Sequence, residues 1–243
     1  MRRIRLYVDT ALVLGAEVDL PQAAADHVTR VLRLGAGTAV TLFNGDGSDY
    51  AATLGTPGKR GAKAVVHALQ PAAPESPLAL TLAQGLARGD KMDWILQKAT
   101  ELGVARIVPL ITARTEVRLD AERSEKRMTH WRGVIASACE QCGRARLPDL
   151  ETPRTLADWA ADAGAIAGLR LRLDPEAVAG PRELPAFTAA CLAIGPEGGL
   201  APADRALLTQ AGFTGLRLGP RVLRTETAGL AALAALQALH GDF

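Results

Sequence analysis

Disulfides, aromatic platforms, membrane spans and a strong charge of one sign are all missing from this sequence. Three cysteines, Cys139, Cys142 and Cys191, are too few and odd in number for the framework of a secreted domain. Cys139-x-x-Cys142 has no second pair, and His27, His67, His130 and His240 show no ligand spacing. No metal site is therefore expected, and the two cysteines are read as packing or interface residues near a helix end. Aromatic residues make up only 4% of the chain, which argues against a protein built on base-stacking platforms. No apolar run is long enough to cross a membrane. The early Arg2, Arg3 and Arg5 resemble the start of a signal peptide, but the apolar run Ala11–Ala16 is too short for one and stops at Glu17. A soluble, cytoplasmic protein with no membrane partner is expected. The net charge of +2 does not by itself announce a nucleic-acid partner.

What the chain does have is enough apolar residue, 48%, for a substantial core, and 22% charged residues, as folded domains do. Its arginines cluster: Arg30 and Arg33, Arg114 and Arg118, Arg144 and Arg146, and Arg217, Arg221 and Arg224. Such clusters are read equally as a phosphate track or as solvated surface.

Up to Leu69 the pattern is one of short strands and turns. Thr38–Phe43, Tyr50–Leu54 and Ala62–Leu69 are strand candidates, and Asn44-Gly45-Asp46-Gly47 is a strong turn signal. Asp26–Leu34 reads as a short helix, and the whole as a small β-barrel. Three prolines in Pro71–Pro77 make the best linker, so domains are expected at 1–72 and 73–243.

Beyond the linker, strands and helices alternate. Strands are expected around Leu78–Leu82, Val104–Ile111, Leu169–Leu173, Thr188–Ile194 and Gly215–Leu218. Asp90 is a candidate cap for a helix with Met92, Ile95, Leu96, Ala99 and Leu102 on one face, stopped by Gly103. Ser124 is a candidate cap for a longer helix ending near Gly143. Pro202 suits the first turn of a helix ending at Gly212, and an alanine- and leucine-rich helix closes the chain from Thr225 to Leu239. This texture predicts an α/β domain with a parallel sheet covered on both faces.

Two segments stand out chemically. Ile194-Gly195-Pro196-Glu197-Gly198-Gly199-Leu200 follows a buried strand, where open α/β sheets bind ligands, and its glycines let backbone approach a ligand closely. It lacks the spacing of a P-loop or a dinucleotide loop, so it is either a close-approach loop for an unnamed ligand or a tight connection. Leu218-Gly219-Pro220-Arg221-Val222-Leu223-Arg224-Thr225-Glu226-Thr227-Ala228 feeds the last helix, for which Thr225 or Thr227 is a candidate cap. A helix N-terminus beside two arginines suits an anion or a developing negative charge.

These two segments closely resemble the paired C-terminal motifs of RsmE-type RNA methyltransferases of the SPOUT class. Further segments match in order: RVLRLGAG with the NGDG turn, QGLARGDKMDWILQKATELGV, IVPLITARTEV and ACEQCGR. The similarity runs over nearly the whole chain.

The resemblance implies a SPOUT domain with a C-terminal trefoil knot, preceded by a PUA-like or OB-like barrel that grips RNA. It implies S-adenosylmethionine as cofactor, held by Leu173, Gly195, Glu197, Gly198, Gly199, Leu218, Gly219, Leu223, Arg224 and Thr225. It implies a homodimer, for which the last helix, with Leu230, Leu233, Leu236 and Leu239, offers either a dimer face or ordinary core packing. It implies methylation of N3 of a uridine in 16S ribosomal RNA of the small subunit.

The uracil N3 carries a proton, so charge spreads onto the ring oxygens once it leaves. A fixed cation there stabilises the transition state. Arg224 or Arg221 is expected to be that cation, and Glu226 either accepts the proton or ties down an arginine. Expected RNA contacts are Arg30, Arg33, Arg88, Arg114, Arg118 and Arg144, with His27 either on that face or packing its helix. Two other readings remain: a SPOUT enzyme acting on a ribose 2′-hydroxyl, and a non-catalytic ribosome-assembly factor that kept the fold.

Overall fold

The computed structural model describes residues 4–56, 58, 61–117, 121–162 and 167–243. It divides into two compact units, one of residues 1–75 with 136–147 and one of residues 76–135 with 148–243. The division falls within the proline-rich Pro71–Pro77 segment. No change of composition marks the return of 136–147 to the first unit.

The first unit holds β1 (Arg5–Tyr7), β2 (Glu17–Asp19), α1 (Gln22–Asp26), β3 (Ala39–Phe43), β4 (Asp49–Leu54) and β5 (Lys63–Gln70). The ladder runs β1-β3-β4-β5-β2, parallel only between β1 and β3. Alternate side chains such as Leu6, Val40, Leu42, Ala52, Leu54, Ala64 and Val66 fall on one face and form the core with Val8, Val18 and Val28. The Asn44–Gly47 turn joins β3 to β4. Asn44 Oδ1 accepts from Asp46 N–H at 3.2 Å, Asp46 Oδ1 accepts from Ser48 N–H at 2.8 Å, and Gly45 and Gly47 take positive φ.

The expected helix over Asp26–Leu34 is corrected at both ends. It starts at Gln22, because Ala23–Ala25 after Pro21 favour helix, and it widens into a π turn over His27–Val31 closed by Leu32 N–H to the His27 carbonyl at 2.9 Å. Arg33 follows at φ 53°, the one non-glycine positive φ among the described residues.

The second unit is built on a parallel sheet. Its elements are β6 (Ala79–Gly85), α2 (Lys91–Glu101), β7 (Arg106–Ile111), α3 (Ala121–Cys142, counted with the first unit from Ala136 on), β8 (Asp149–Leu150), β9 (Arg154–Thr155), α4 (Leu156–Ala161), β10 (Leu169–Leu173), β11 (Ala189–Ile194), α5 (Pro202–Gln210), β12 (Thr214–Leu216) and α6 (Thr225–His240). The order is β12-β10-β11-β6-β7-β8, with β9 also on β7, and every pairing is parallel.

Both faces are covered, as the near-continuous apolar strands require. On one face Ala83, Cys191 and Ala193 join Trp159, Leu208 and Phe213, with the rings of Trp159 and Phe213 5.5 Å apart. On the other, Leu82, Gln84 and Ile194 lie under α6. There a Cβ on Gly229 would stand 3.3 Å from Leu82 and 3.4 Å from Gln84. Leu233 and Leu236 of α6 are buried in the core, whereas Leu239 is exposed.

Three expected caps are corrected. Asp90 has helical φ and ψ and makes no side-chain capping bond. Ser124 lies inside α3, whose start at Ala121 precedes it. Arg224, not Thr225 or Thr227, occupies the N-cap of α6, because the Thr225 hydroxyl is used elsewhere. Pro202 does open α5, with the Asp204 carboxylate accepting from Ala201 N–H at 2.9 Å.

Candidate functional site

In the second unit the carboxyl ends of β6, β7, β10, β11 and β12 point the same way, so the loops that follow them cluster. Among these loops is a cavity of about 250 Å³. Its walls include Leu173, Gly195, Gly198, Gly199, Leu218, Gly219, Arg221 and Leu223, all singled out from the sequence, and Arg114. Val222 and Ala228, in the second singled-out segment but given no role there, also line it, as do Asp174 and Arg205.

Backbone, not side chains, shapes the first wall. A Cβ on Gly195 would stand 2.7 Å from the Gly199 carbonyl carbon and the Leu200 nitrogen, and one on Gly85 would stand 2.6 Å from Pro196. Neither neighbour is a flexible side-chain end, so loop 195–200 folds this tightly only with glycine there. Gly219, at φ 74°, has open space where a side chain would project, so it leaves room on the opposite wall.

The first loop is pinned from outside the cavity. Glu197 does not line the cavity: its Oε1 accepts from Arg88 N–H and from Lys91 Nζ, both at 3.0 Å. Burial raises its pKa, but the Arg88 and Glu197 backbone N–H groups and Lys91 outweigh that, so the carboxyl lies below its ordinary value. Arg114 Nη1 donates to the Gly198 carbonyl at 2.7 Å. The buried Thr225 hydroxyl donates to the Gly195 carbonyl at 2.6 Å and accepts from Gln84 Nε2 at 2.9 Å. Gln84 is fully buried, and its Oε1 has no hydrogen-bond partner among the described residues.

The second loop is open. Arg221, Val222 and Arg224 are exposed, and Arg224 forms no ion pair among the described residues. Glu226, in the first turn of α6, is partly buried. Its Oε2 accepts no hydrogen bond among the described residues and lies 3.8 Å from Lys91 Nζ.

The expected RNA arginines divide. Arg30 and Arg33 are exposed, Arg30 within 3.3 Å of Asp26. Arg88 pairs with Glu116 at the surface. Arg144 needs correction: Glu75 holds its Nε at 3.0 Å and its Nη2 at 2.5 Å, and only 11% of its side chain is exposed, so it clamps the first unit instead of facing solvent. Arg118 lies outside the described residues. Cys139 is buried, which pushes its thiol up to about 12 and leaves it unreactive.

A family model described as an RNA methyltransferase domain matches residues 74–237, and one described as an RNA methyltransferase PUA domain matches residues 20–66. The ribosomal RNA small subunit methyltransferase E of Mycobacterium bovis is 33% identical, over 96% of this chain and 90% of its own length. That of Bacillus subtilis is 32% identical over 89% of each. Among solved structures, ribosomal RNA small subunit methyltransferase E from Neisseria gonorrhoeae, bound to S-adenosyl methionine, is 35% identical over all of both chains, with a TM-score of 0.89. A protein of Legionella pneumophila described as a methyltransferase in complex with bound SAM is 40% identical over all of both chains, with a TM-score of 0.95. A glycine-walled cavity at the ends of parallel strands, a matching domain model and full-length relatives agree: the chain belongs to the ribosomal RNA small subunit methyltransferase E family of RNA methyltransferases.

Proposed function

We propose that this protein transfers a methyl group from S-adenosylmethionine to N3 of a uridine in 16S ribosomal RNA. The observation that carries the reading is the cavity between the glycine loop after β11 and the open arginine loop before α6. Its residues fit the cofactor. Leu173, Leu218 and Leu223 give apolar surface for an adenine, and Gly195, Gly198, Gly199 and Gly219 give close backbone, while the buried Asp174 on the same wall is held by Arg172, Arg205 and the Glu176 N–H. Glu197 and Thr225 serve the same site from behind, by fixing its wall. S-adenosylmethionine supplies an electrophilic methyl group when bound.

The chain's own work is alignment and charge control. Arg224, exposed at the N-cap of α6, is positioned outside the cavity, where a base can reach it. Its guanidinium stabilises negative charge on the ring oxygens of the target. Arg221, on the cavity wall, is the other cation within the same loop. Glu226, in the first turn of α6, either accepts the N3 proton or only ties down a cation, its Oε2 being buried 3.8 Å from Lys91 Nζ. Arg30 and Arg33 in the first unit, and Arg88 and Arg114 in the second, are the proposed phosphate contacts.

The C-terminal segment is read as threaded into a trefoil knot, a reading supported by the hydrogen bond that brings Thr225 against Gly195. The working form is read as a homodimer. Exposed Val178, Val222 and Leu239 support this, since Val178 and Leu239 border a groove along α6. The site of action is the cytoplasm, where the proposed substrate is made. Residues 1–72 are the proposed RNA-gripping domain and 73–243 the catalytic one.

Labelled S-adenosylmethionine, offered with small ribosomal subunits lacking their own modification, should yield 3-methyluridine on nucleoside analysis. Label in any other nucleoside would move the target, and no label together with no cofactor binding would end the proposal.

A further inference from the structure

Lys91 opens α2, and its ammonium stands between two carboxylates that come from different parts of the site. Glu197 Oε1 is 3.0 Å away and Glu226 Oε2 is 3.8 Å away. Glu197 belongs to the loop that walls the cavity with Gly195, Gly198 and Gly199. Glu226 belongs to the first turn of α6, between the wall residues Leu223 and Ala228. A second side-chain link between these two walls among the described residues is neutral, the Thr225 hydroxyl on the Gly195 carbonyl.

The charges make Lys91 more than a surface ion pair. Its side chain is 35% exposed, and those of Glu197 and Glu226 are 28% and 19% exposed. The Glu226 Oε2 atom is buried without a hydrogen bond, so Lys91 is the nearby cation that offsets its charge. Glu197 has Arg88 N–H as a second donor on the same oxygen, which fixes where Lys91 must stand. A compact ammonium on a flexible stem can serve two carboxylates at different distances.

We infer that Lys91 is a positioning residue: it holds the loop 195–199 and the first turn of α6 together as one piece, so that the glycine wall and the α6 end of the arginine loop are set before a ligand arrives. The inference rests on the proposed reading of this cavity as the cofactor site, but the clamp itself is a property of the protein alone. It can therefore be tested with no cofactor present.

Amide hydrogen exchange on the full chain, without ligand, reads it directly. The Gly199 amide is held by the Pro196 carbonyl at 2.8 Å, and the Thr227 and Ala228 amides by the Arg224 carbonyl at 2.9 and 2.8 Å. In Lys91→Met, which keeps the stem and loses the charge, all three should exchange about tenfold faster, as a local opening does. The Leu102 amide, held by Lys98 at the far end of α2, should not change. Lys91→Arg should restore most of the protection. Glu197→Gln should loosen the Gly199 amide alone to a similar extent, and adding Lys91→Met to it should cost that amide little more, because the two act through one contact.

With ribosomal substrate, Lys91→Met should raise the KM for S-adenosylmethionine more than it lowers kcat. Unchanged exchange at the three amides, or an equal rise at Leu102, would overturn the clamp, the second outcome marking a helix that is merely weakened. A wild-type protein that binds no S-adenosylmethionine but shows the local pattern would leave the clamp standing and remove the cofactor reading.

Discussion

The two loops that flank the cavity are built in opposite ways. Loop 195–200 is held at nearly every residue: Gly195 by Thr225, Glu197 by Arg88 and Lys91, Gly198 by Arg114, and Gly199 by Pro196. Loop 217–224 is held mainly at its ends, by Arg217 N–H to the Ala179 carbonyl and by its passage into α6, and it leaves Pro220, Arg221, Val222 and Arg224 exposed. A wall that must receive a cofactor in one geometry gains from being fixed beforehand, because less ordering remains to oppose binding. An arginine that must meet developing charge on a target base, as Arg224 is proposed to, gains from being free of protein partners, since a guanidinium already paired must first be released. The contrast teaches where binding and catalysis separate: damage to the residues that wall the cavity should appear in cofactor affinity, and loss of Arg224, outside the cavity, in turnover.

The largest effect is expected in the open loop. Arg224→Ala should lower kcat by about a hundredfold to a thousandfold, as loss of one preorganised charge stabiliser does. The melting temperature and S-adenosylmethionine affinity should stay near those of the wild type, because the guanidinium holds no protein partner among the described residues. Arg221→Ala, with a side chain on the cavity wall, should instead raise the cofactor KM. Single-turnover kinetics with calorimetry separates the two. Near-normal turnover by Arg224→Ala would reverse the assignment.

The same contrast explains what was legible in the sequence. Both loops could be found because their glycines and arginines follow short apolar strands. Strand texture from Leu78 onward likewise carried the parallel sheet. What pins the fixed loop was not legible. Gln84 reads as one polar residue ending an apolar strand, and Lys91 as one more charge on an amphipathic helix. Their partners lie 141, 106 and 135 residues away, at Thr225 (225 − 84), Glu197 (197 − 91) and Glu226 (226 − 91). Only the fold brings these together. Arg144 was misread for the same reason, because its partner Glu75 lies in another stretch of chain. Some of the loss was local and avoidable. Thr155-Leu156-Ala157-Asp158 is a legible helix start, and the Thr155 hydroxyl does accept from Asp158 N–H at 3.1 Å at the head of α4. Strands of three residues, such as β1 and β2, are too short for an alternation to register.

A middle-sized effect is expected where the two loops meet. Thr225→Val keeps the shape of the side chain but removes the hydroxyl, leaving the Gly195 carbonyl and one Gln84 N–H without that partner. Losing a buried hydrogen bond in this way costs about 1–3 kcal/mol. If about half of that falls on cofactor affinity, the Kd for S-adenosylmethionine rises roughly threefold to tenfold. Thr225→Ser should recover most of it. A Valine variant that binds normally but turns over slowly would mean that the hydroxyl acts on the substrate side, and the division between the loops would fail there.

The smallest effect concerns the charge of Glu197 in the fixed loop. Its folded-state pKa lies below the ordinary 4.5, with burial raising it and the Arg88 N–H, its own N–H and Lys91 together lowering it further. A depressed carboxylate contributes stability that is present above the ordinary value and lost as pH falls through the folded one. The contribution should therefore be constant from neutral pH down to about 4.5 and disappear below it. Glu197→Gln removes that titration, so its stability should decline less steeply than the wild type's on the acid side of this value, while the two curves run parallel above it. Denaturant unfolding at a series of pH values reads the difference directly. The open loop supplies the control, since Arg224→Ala leaves the Glu197 carboxylate and its donors in place and should leave the acid limb unchanged. Parallel curves for Glu197→Gln over the whole range would mean that the carboxylate is no better held in the folded protein than in the unfolded chain, and the loop after β11 would then owe its geometry to its glycines alone.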